Sequence, residues 1–206
     1  LCGKGNIGSS WLNLFATQKS ELEKRHGMSF DLVAVVDSQT YWFDEQGIEA
    51  VSVAERFDDE SIANNGDWLA RLGALKSYDE AVVLDVTASK DLAQRYVEIA
   101  QQGIHLISAN KVAGSADSQY YHQVQDAFAK IGRHWLYNAT VGAGLPINHT
   151  VRDLRESGDE IVALSGIFSG TLSWLFQQFD RSILSLGGIL GYWQQGLSPL
   201  GSTHTG

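Results

Sequence analysis

Cysteine is almost absent from this 206-residue chain: Cys2 is the one example, so no disulfide can form within the chain, and a reducing compartment is compatible with it. Cys2 stands in a short apolar segment, which predicts a buried, inert thiol rather than a nucleophile. Long apolar runs are also missing, since none approaches the ~18 residues that span a bilayer, and no signal peptide is recognisable. These absences predict a soluble, cytoplasmic protein.

Positive charge is scarce as well. The chain has 15 lysines and arginines against 24 aspartates and glutamates, a formal net charge of −9, and no basic cluster, which argues against nucleic acid or an anionic membrane as a partner. The 6 histidines lack metal-ligand spacing, and His105, inside an apolar run, is expected to be a core residue rather than a ligand. With 44% hydrophobic and 19% charged residues, the chain can bury the core of one large or two small domains.

A glycine-rich turn stands at the start of the chain. Gly3, Gly5 and Gly8 fit G-x-G-x-x-G, and apolar residues at helical spacing follow directly. In a dinucleotide site the first glycine permits the strand-to-helix turn, the second lets the pyrophosphate approach the backbone, and the third lets the helix pack on the strand. The helix N-terminus then offers N–H groups and a positive dipole end to the phosphates. An ordinary glycine turn is the alternative, because glycine makes up 21 of the 206 residues.

Asp37 follows a β-branched apolar run at 31–36 that predicts a buried parallel strand. A carboxylate at the end of the second strand is placed to bind the ribose hydroxyls, although its spacing from Gly8 exceeds the usual ~20 residues. The alternative is a solvated residue that opens a turn at 37–40. Asp37 favours NAD by repelling a 2′-phosphate, and no arginine follows it closely, whereas Lys4 could reach such a phosphate. The choice between NAD and NADP stays open from the sequence.

Apolar runs and helical patterns alternate through the central part of the chain, although residues 41–65 show no clear period. Helices are predicted at 67–72, 91–102 (ended by Gly103) and 118–131. Strands are predicted at 104–109 and 135–140, and residues 81–89 are predicted to be a buried strand that opens into a polar turn. This alternation predicts an α/β fold, a doubly wound parallel sheet of the Rossmann type with helices on both faces.

Polar residues follow the predicted strands at 3–8, 37, 87–89 and 110–111. Ligands of such sheets lie outside the carboxyl ends of the strands, so these residues are expected to converge on one site. Lys111 could polarise a carbonyl, pair with a phosphate, or donate a proton if its pKa is lowered. The alternative is a solvated turn lysine.

The character of the sequence changes beyond residue 140. A glycine-rich turn at 141–146 has carbonyls that could face a ligand or a hard cation. A helix at 148–156 with Asn148 or Thr150 as its cap, a strand at 160–168 and a helix at 172–179 are expected to follow. Residues 169–171, between this strand and the helix at 172–179, could present N–H groups to an anion or simply cap that helix.

Together these segments resemble homoserine dehydrogenase, most closely the dehydrogenase half of bifunctional aspartokinase–homoserine dehydrogenase. The resemblance covers residues 1 to about 180 and rests on the blocks GKGNIGSSW at 3–11, DVTAS at 85–89, SANKVAG at 108–114, NATVGAGLPI at 138–147 and GIFSGTLSWLF at 166–176. The family interconverts homoserine and aspartate 4-semialdehyde with NAD(P), in threonine and methionine biosynthesis.

The resemblance implies a role for each matching residue. Cofactor-binding residues would be Gly3, Gly5, Asn6, Ile7 and Gly8 at the pyrophosphate, Asp37 at the ribose, and Thr87, Ser89 and Lys111 at the nicotinamide, where Lys111 would also be catalytic. Gly166, Ser169, Gly170 and Thr171 would line the substrate side. The backbone of Val141, Ala143 and Leu145 matches the family's monovalent-cation loop, where Asn138 replaces a glutamate of many relatives. A hydride would pass between the nicotinamide and the carbonyl carbon, while a lysine would donate or accept the proton of the substrate oxygen.

The sequence departs from the family after residue 180. The family continues with an acidic segment, an aspartate and a second lysine, which hold the amino group of the substrate and act as the acid–base. Residues 198–206 contain no carboxylate side chain and no lysine. At the other end, no initiator methionine is present and only Leu1 and Cys2 precede the glycine turn, which predicts a segment of a longer polypeptide lacking most of its first strand. The family's bifunctional members carry an aspartokinase domain upstream, and the full-length enzyme is expected to be a homo-oligomer.

The sequence therefore predicts a dinucleotide-binding domain over 1–137, the start of an α+β substrate and dimerisation domain over 138–180, and a divergent tail over 181–206. The leading function is an NAD(P)-dependent homoserine dehydrogenase in an incomplete copy that catalyses poorly or not at all. A non-catalytic dinucleotide-binding or assembly remnant is the alternative, for which the acid-free tail is the discriminating feature. A different hydride-transfer enzyme is a third reading, which the blocks at 138–147 and 166–176 argue against.

Overall fold

A computed structural model describes residues 1–75, 77–142, 144–166, 173–174 and 176–177. The chain divides into two compact units, Leu1–Thr140 and the residues from Val141 onward. The helices are α1 (Asn6–His26), α2 (Val53–Glu60), α3 (Trp68–Ala74), α4 (Lys90–Gln94), α5 (Tyr96–Gln101), α6 (Ser118–Lys130) and α7 (Ile147–Glu156). The strands are β1 (Ala34–Val36), β2 (Thr40–Phe43), β3 (Ile62–Ala63), β4 (Val82–Asp85), β5 (His105–Ser108) and β6 (Trp135–Leu136).

The sheet of the first unit has a parallel half and an antiparallel half. Strands β4, β5 and β6 run parallel in that order, with Leu106 opposite Val83 on one side and Trp135 on the other. Strands β1, β2 and β3 form antiparallel pairs, with Val35 opposite Trp42. Cys2 lies between the halves and pairs in parallel with both Val36 and Asp85.

The side chains of each strand point alternately to the two faces of the sheet, so there are two apolar cores, one on each face. Neighbouring residues such as Val35 and Val36 point to opposite faces, because the side-chain period of a strand is two. The core containing Val36 is packed by residues of α3, α5 and α6, and the core containing Val35 by residues of α1 and α2. Helices therefore pack on both faces, although Ile107 of β5 and Leu136 of β6 remain 41% and 40% exposed on the face opposite Leu106. The Rossmann-type α/β fold predicted from the sequence is confirmed in this unit.

Cys2 is buried between these layers and forms no disulfide. Burial raises the pKa of its thiol to about 12, so the thiol stays protonated and unreactive near neutral pH. The prediction of an inert structural cysteine is confirmed. None of the helices in the described part of the chain is long and apolar enough to cross a membrane.

Several predicted elements differ from those observed. The segment without a clear period, 41–65, contains β2, α2 and β3, so the expected parallel strand β1 continues into an antiparallel hairpin. The helix predicted at 91–102 is interrupted at Arg95, whose φ of −91° and ψ of 6° are not helical. The strand predicted at 135–140 ends at Leu136, and a 3-10 turn follows at Asn138–Thr140.

The second unit also corrects two predictions. Helix α7 begins at Ile147 after Pro146, with no side-chain cap, so neither Asn148 nor Thr150 has the predicted capping role. The hydroxyl of Thr150 instead donates to the carbonyl of Pro146 at 2.8 Å. The strand predicted at 160–168 is not formed by its described residues, 160–166. The described residues of the helix predicted at 172–179 are helical.

Strand β5 provides a test of the packing in the parallel half. Leu106 is fully buried between β4 and β6, so Leu106→Ala is expected to lower the free energy of unfolding by about 3 kcal/mol through lost burial and a residual cavity. Urea denaturation followed by tryptophan fluorescence measures the loss. The matched control is Ile107→Ala, because Ile107 is the next residue on the same strand and is 41% exposed. Equal losses for the two variants would contradict the assigned register.

Candidate dinucleotide site

The three glycines of the first turn are needed for three different reasons. Gly3 has a φ of +99°, a conformation that side chains rarely adopt, and this lets the chain turn from strand to helix. A Cβ on Gly8 would lie 2.0 Å from the carbonyl oxygen of Gly3, so only glycine allows the helix to pack against the turn. A Cβ on Gly5 would meet no atom of the described residues within 4 Å, which leaves open space in front of the backbone there. These are the properties that the motif requires for the turn, the close packing and the approach of a ligand.

Helix α1 begins at Asn6, directly behind this open space. Its N-cap is Gly5, no side chain caps it, and its first turn contains no acidic residue. The first N–H groups of a helix have no partner within the helix, and the helix dipole places positive potential at this end. The turn therefore presents donors and positive potential to an anion approaching Gly5.

Asp37 stands next to the glycine turn, because the N–H of Gly3 donates to the carbonyl of Val36 at 2.8 Å. One oxygen of the Asp37 carboxylate accepts hydrogen bonds from the N–H and the hydroxyl of Ser38. The other oxygen faces Lys4, at 3.9 Å from its Nζ. Asp37 thus opens a turn, as one interpretation predicted, and also faces the glycine turn, as the ribose-binding interpretation requires.

A buried carboxylate, Asp85, organises the end of the neighbouring strand β4. Asp85 is fully buried, and one of its oxygens accepts hydrogen bonds from the N–H and the hydroxyl of Thr87, at 2.8 and 2.7 Å. Its other oxygen accepts from the hydroxyl of Tyr96 at 2.7 Å and from the side-chain amide of Asn110 at 3.1 Å. Burial and the charge of Asp85 raise the pKa of Tyr96, so its hydroxyl remains a donor. The carboxylate therefore has donors on both oxygens, as a buried charge requires.

Asn110 extends this network to the turn that carries Lys111. Its amide nitrogen also donates to the carbonyl of Ser89 at 2.9 Å, and its amide oxygen accepts from the N–H of Val112 at 2.9 Å. The backbone on both sides of Lys111 is held in this way. The side chain of Lys111 is exposed, and within the described part of the chain no ion pair engages its ammonium. A cation on a fixed backbone is thereby presented at the carboxyl end of β5.

Of the predicted nicotinamide residues, Thr87 lies beside the glycine turn. A Cβ on Gly3 would be 3.0 Å from Cγ2 of Thr87, so the ends of the first strand and of β4 are adjacent. Ser89 accepts a hydrogen bond from the N–H of Leu92 at 3.1 Å and is the N-cap of α4. Its hydroxyl already has a structural role, whereas the methyl face of Thr87 borders the turn.

No role was predicted from the sequence for Asp85, Tyr96 or the side chain of Asn110. A signal existed for Asp85, because a carboxylate inside the apolar run 81–86 must be paired if the run is a buried strand. Tyr96 gave no such signal, since its place on a helical face is equally typical of an ordinary core aromatic.

The predicted substrate and cation residues belong to the second unit. Val141, Leu145 and Gly166 are exposed within that unit. Ala143, Ser169, Gly170 and Thr171 lie outside the described residues. Across the described part of the chain, no cluster of histidine, cysteine, aspartate and glutamate could hold a metal ion. The backbone cation site and the substrate residues stay predictions.

The fold and this convergence of strand ends define an α/β dinucleotide-binding domain. Residues 3–138 match the family described as "Homoserine dehydrogenase, NAD binding domain". The chain belongs to this family.

Relatives and solved structures agree with the assignment. The chain is 54% identical over 198 residues to bifunctional aspartokinase/homoserine dehydrogenase 2 of Escherichia coli K12, covering 96% of this chain but 24% of that protein. A crystal structure of homoserine dehydrogenase from Thermoplasma acidophilum superposes with a TM-score of 0.66 at 20% identity, over 96% of this chain and 60% of that one. A hyperthermophilic archaeal homoserine dehydrogenase in complex with NADPH superposes with a TM-score of 0.58 at 16% identity, over 74% of this chain and 46% of that one. At these identities the superpositions show the fold.

The Asp85 network gives a stability prediction. Asp85→Ala leaves the hydroxyl of Tyr96 and the amide of Asn110 without their buried acceptor, and is expected to lower the free energy of unfolding by about 3 kcal/mol. Asp79→Ala serves as the control, because Asp79 is exposed and precedes the strand. Urea unfolding of both variants is the measurement. A midpoint for the Asp85 variant equal to that of the control would show that the network does not hold the strand ends.

Proposed function

We propose that this chain binds NAD(P) across the glycine turn and supplies the cofactor half of the homoserine dehydrogenase reaction. The proposal rests on the different steric constraints at the three glycines of the turn. Gly3 and Gly8 are constrained by the fold itself, whereas Gly5 is exposed and no described atom blocks the approach to its backbone. A pyrophosphate can therefore come close to the chain there. The uncapped start of α1 supplies donors for that group.

The residues around the turn fit the rest of the cofactor. Asp37 would accept hydrogen bonds from the ribose, and the N–H groups of Asn6 and Ile7 would bind the pyrophosphate. Thr87 borders the turn on the side of β4, so it would flank the nicotinamide half together with Ser89. The nicotinamide, when bound, supplies or accepts the hydride.

Lys111 is the residue proposed to act on the substrate oxygen. Its backbone is held by Asn110, and its side chain is exposed at the carboxyl end of β5. From there its ammonium would donate a hydrogen bond to the carbonyl oxygen of aspartate 4-semialdehyde, and it would stabilise the negative charge that develops on this oxygen. Gly166, Ser169, Gly170 and Thr171 would line the substrate side, and the backbone of Val141, Ala143 and Leu145 would hold a monovalent cation.

The relatives support the wider setting of this proposal. A bifunctional aspartokinase/homoserine dehydrogenase as a close relative supports an upstream aspartokinase domain in the complete protein. The archaeal complex with NADPH supports a nicotinamide dinucleotide as cofactor. We also propose that the complete protein is a homo-oligomer in the cytoplasm and that it takes part in threonine and methionine biosynthesis.

The 206 residues themselves are expected to bind the dinucleotide with little turnover. They contain no carboxylate and no lysine after Asp180, so the second lysine that the family uses in acid–base chemistry has no counterpart in residues 181–206. A non-catalytic dinucleotide-binding remnant is the second candidate, and the same observation favours it. Homoserine-dependent reduction of NADP⁺ by the purified chain separates the two: turnover at an enzyme's usual rate would rule out the remnant.

Gly5→Ala tests the cofactor proposal directly. The added methyl group meets no protein atom, so the thermal unfolding midpoint should stay close to that of the unchanged chain. The same methyl group would stand between the backbone and the pyrophosphate, so the affinity for NADH should fall by about tenfold or more. Titration with NADH, followed by tryptophan fluorescence, is the measurement.

The control for Gly5→Ala is Ser20→Ala, since Ser20 is an exposed residue far along the same helix. It should change neither the affinity nor the midpoint. If the unchanged chain binds neither NADH nor NADPH, the proposed function is wrong. If Gly5→Ala binds NADH as tightly as the unchanged chain, the pyrophosphate does not bind at this turn.

A further inference from the structure

We propose that Lys4 determines the preference between NADP and NAD by pairing with the 2′-phosphate, and that Asp58 competes for the same ammonium. This inference rests on the proposed function, because it requires a dinucleotide on the glycine turn. It goes further by assigning the choice of cofactor to an ion pair that neither the turn motif nor the family assignment specifies.

The position of Lys4 is set by the turn itself. Lys4 stands between Gly3 and Gly5, where the backbone leaves the strand for α1, and its side chain extends toward α2. There its Nζ lies 3.1 Å from a carboxylate oxygen of Asp58 and 4.2 Å from the centre of the Phe57 ring. The ring face attracts the ammonium, so Phe57 helps to hold the charge beside the turn rather than in bulk water.

The distance to Asp37 connects this ammonium to the ribose. If Asp37 binds the ribose hydroxyls, its carboxylate lies within one hydrogen bond of the 2′ position. The Nζ of Lys4 is 3.9 Å from the oxygen of the same carboxylate that Ser38 does not contact. A phosphate that replaces the 2′-hydroxyl therefore comes within reach of the ammonium with a small movement of a flexible side chain.

The charges explain why this contact decides the preference. Asp37 alone would repel a 2′-phosphate, which carries about two negative charges near neutral pH. One of its oxygens is already bonded to Ser38, and the other faces Lys4. Lys4 offsets that repulsion and adds a charge-assisted hydrogen bond that NAD, with its neutral hydroxyl, does not gain. The contact therefore stabilises bound NADP more than bound NAD.

Asp58 weakens this preference without abolishing it. Its side chain is 89% exposed, so its ion pair with Lys4 is screened by water and exchanges readily. Lys4 and Asp58 also border a cavity of about 320 Å³ between α1 and α2, and Asp37 is not among its lining residues. Because the ion pair is exposed, a phosphate bound beside Asp37 would compete with the Asp58 carboxylate for the ammonium.

The test compares Lys4→Met, Asp58→Asn and the control Lys130→Met by titration of the 206-residue chain. Lys130 is an exposed lysine at the end of α6, so its replacement changes the net charge by the same amount away from the turn. The probes are NADH and NADPH, and then 5′-AMP and 2′,5′-ADP, which differ in the 2′-phosphate and lack the nicotinamide. Circular dichroism and thermal unfolding establish that each variant is folded.

Lys4→Met is expected to weaken NADPH binding by about tenfold and NADH binding by less than about twofold, because one charge-assisted contact is lost from one cofactor. The ratio between 2′,5′-ADP and 5′-AMP should fall in parallel. Asp58→Asn should strengthen NADPH binding by about threefold, since it removes a competitor of modest strength. Lys130→Met should leave both ratios unchanged.

Two failures can be told apart. Equal losses of NADH and NADPH affinity in Lys4→Met, or a loss in Lys130→Met as large as in Lys4→Met, would overturn this inference and leave the proposed function standing. An unchanged chain that binds none of the four probes would overturn the proposed function, and this inference with it.

Discussion

The backbone of Leu1–Gly3 joins the two halves of the sheet, and the site depends on this connection. On one side, the N–H of Val36 donates to the carbonyl of Leu1, and the N–H of Gly3 donates to the carbonyl of Val36, both at 2.8 Å. On the other side, the N–H of Cys2 donates to the carbonyl of Leu84 at 2.8 Å, and the N–H of Val86 donates to the carbonyl of Cys2 at 3.0 Å. A central parallel strand has this double pairing, and burial of its side chains keeps water from competing for the hydrogen bonds. The glycine turn therefore leaves the sheet between Asp37 and Thr87.

The buried carboxylate of Asp85 adds the second level of organisation. Its hydrogen bonds with Thr87, Tyr96 and Asn110 connect the end of β4 to helix α5 and to the turn after β5. A carboxylate in an apolar layer is unfavourable unless it is hydrogen-bonded. The fold therefore requires these donors as much as it requires the carboxylate. The result is a site with two different regions: the glycine turn, which offers backbone donors to an anion, and the Asn110–Lys111 turn, which presents a cation.

Much of this arrangement could be predicted from the sequence. The glycine spacing predicted the turn and α1, and the β-branched runs predicted β1, β4 and β5, because local periodicity and backbone sterics act within a few residues. Strands β2 and β3 and their antiparallel pairing with β1 could not be predicted, since strands this short carry no recognisable period and are stabilised by their partners. The break at Arg95 had no signal in the sequence either, because the helical spacing of apolar residues continues across it. Lys4 was recognised in the sequence, but its ion pair with Asp58 depends on the packing of α2 beside the turn.

The central claim is that the strand ends of the first unit form one cofactor site, and amide-resolved NMR of the isotope-labelled chain during NADH titration tests it most directly. The largest chemical-shift changes are expected on the amides of Gly5–Gly8, Asp37, Thr87–Ser89 and Lys111, with the far ends of the same helices unaffected. Shift changes concentrated elsewhere, such as on α6 or α7, or no saturable change at all, would contradict it.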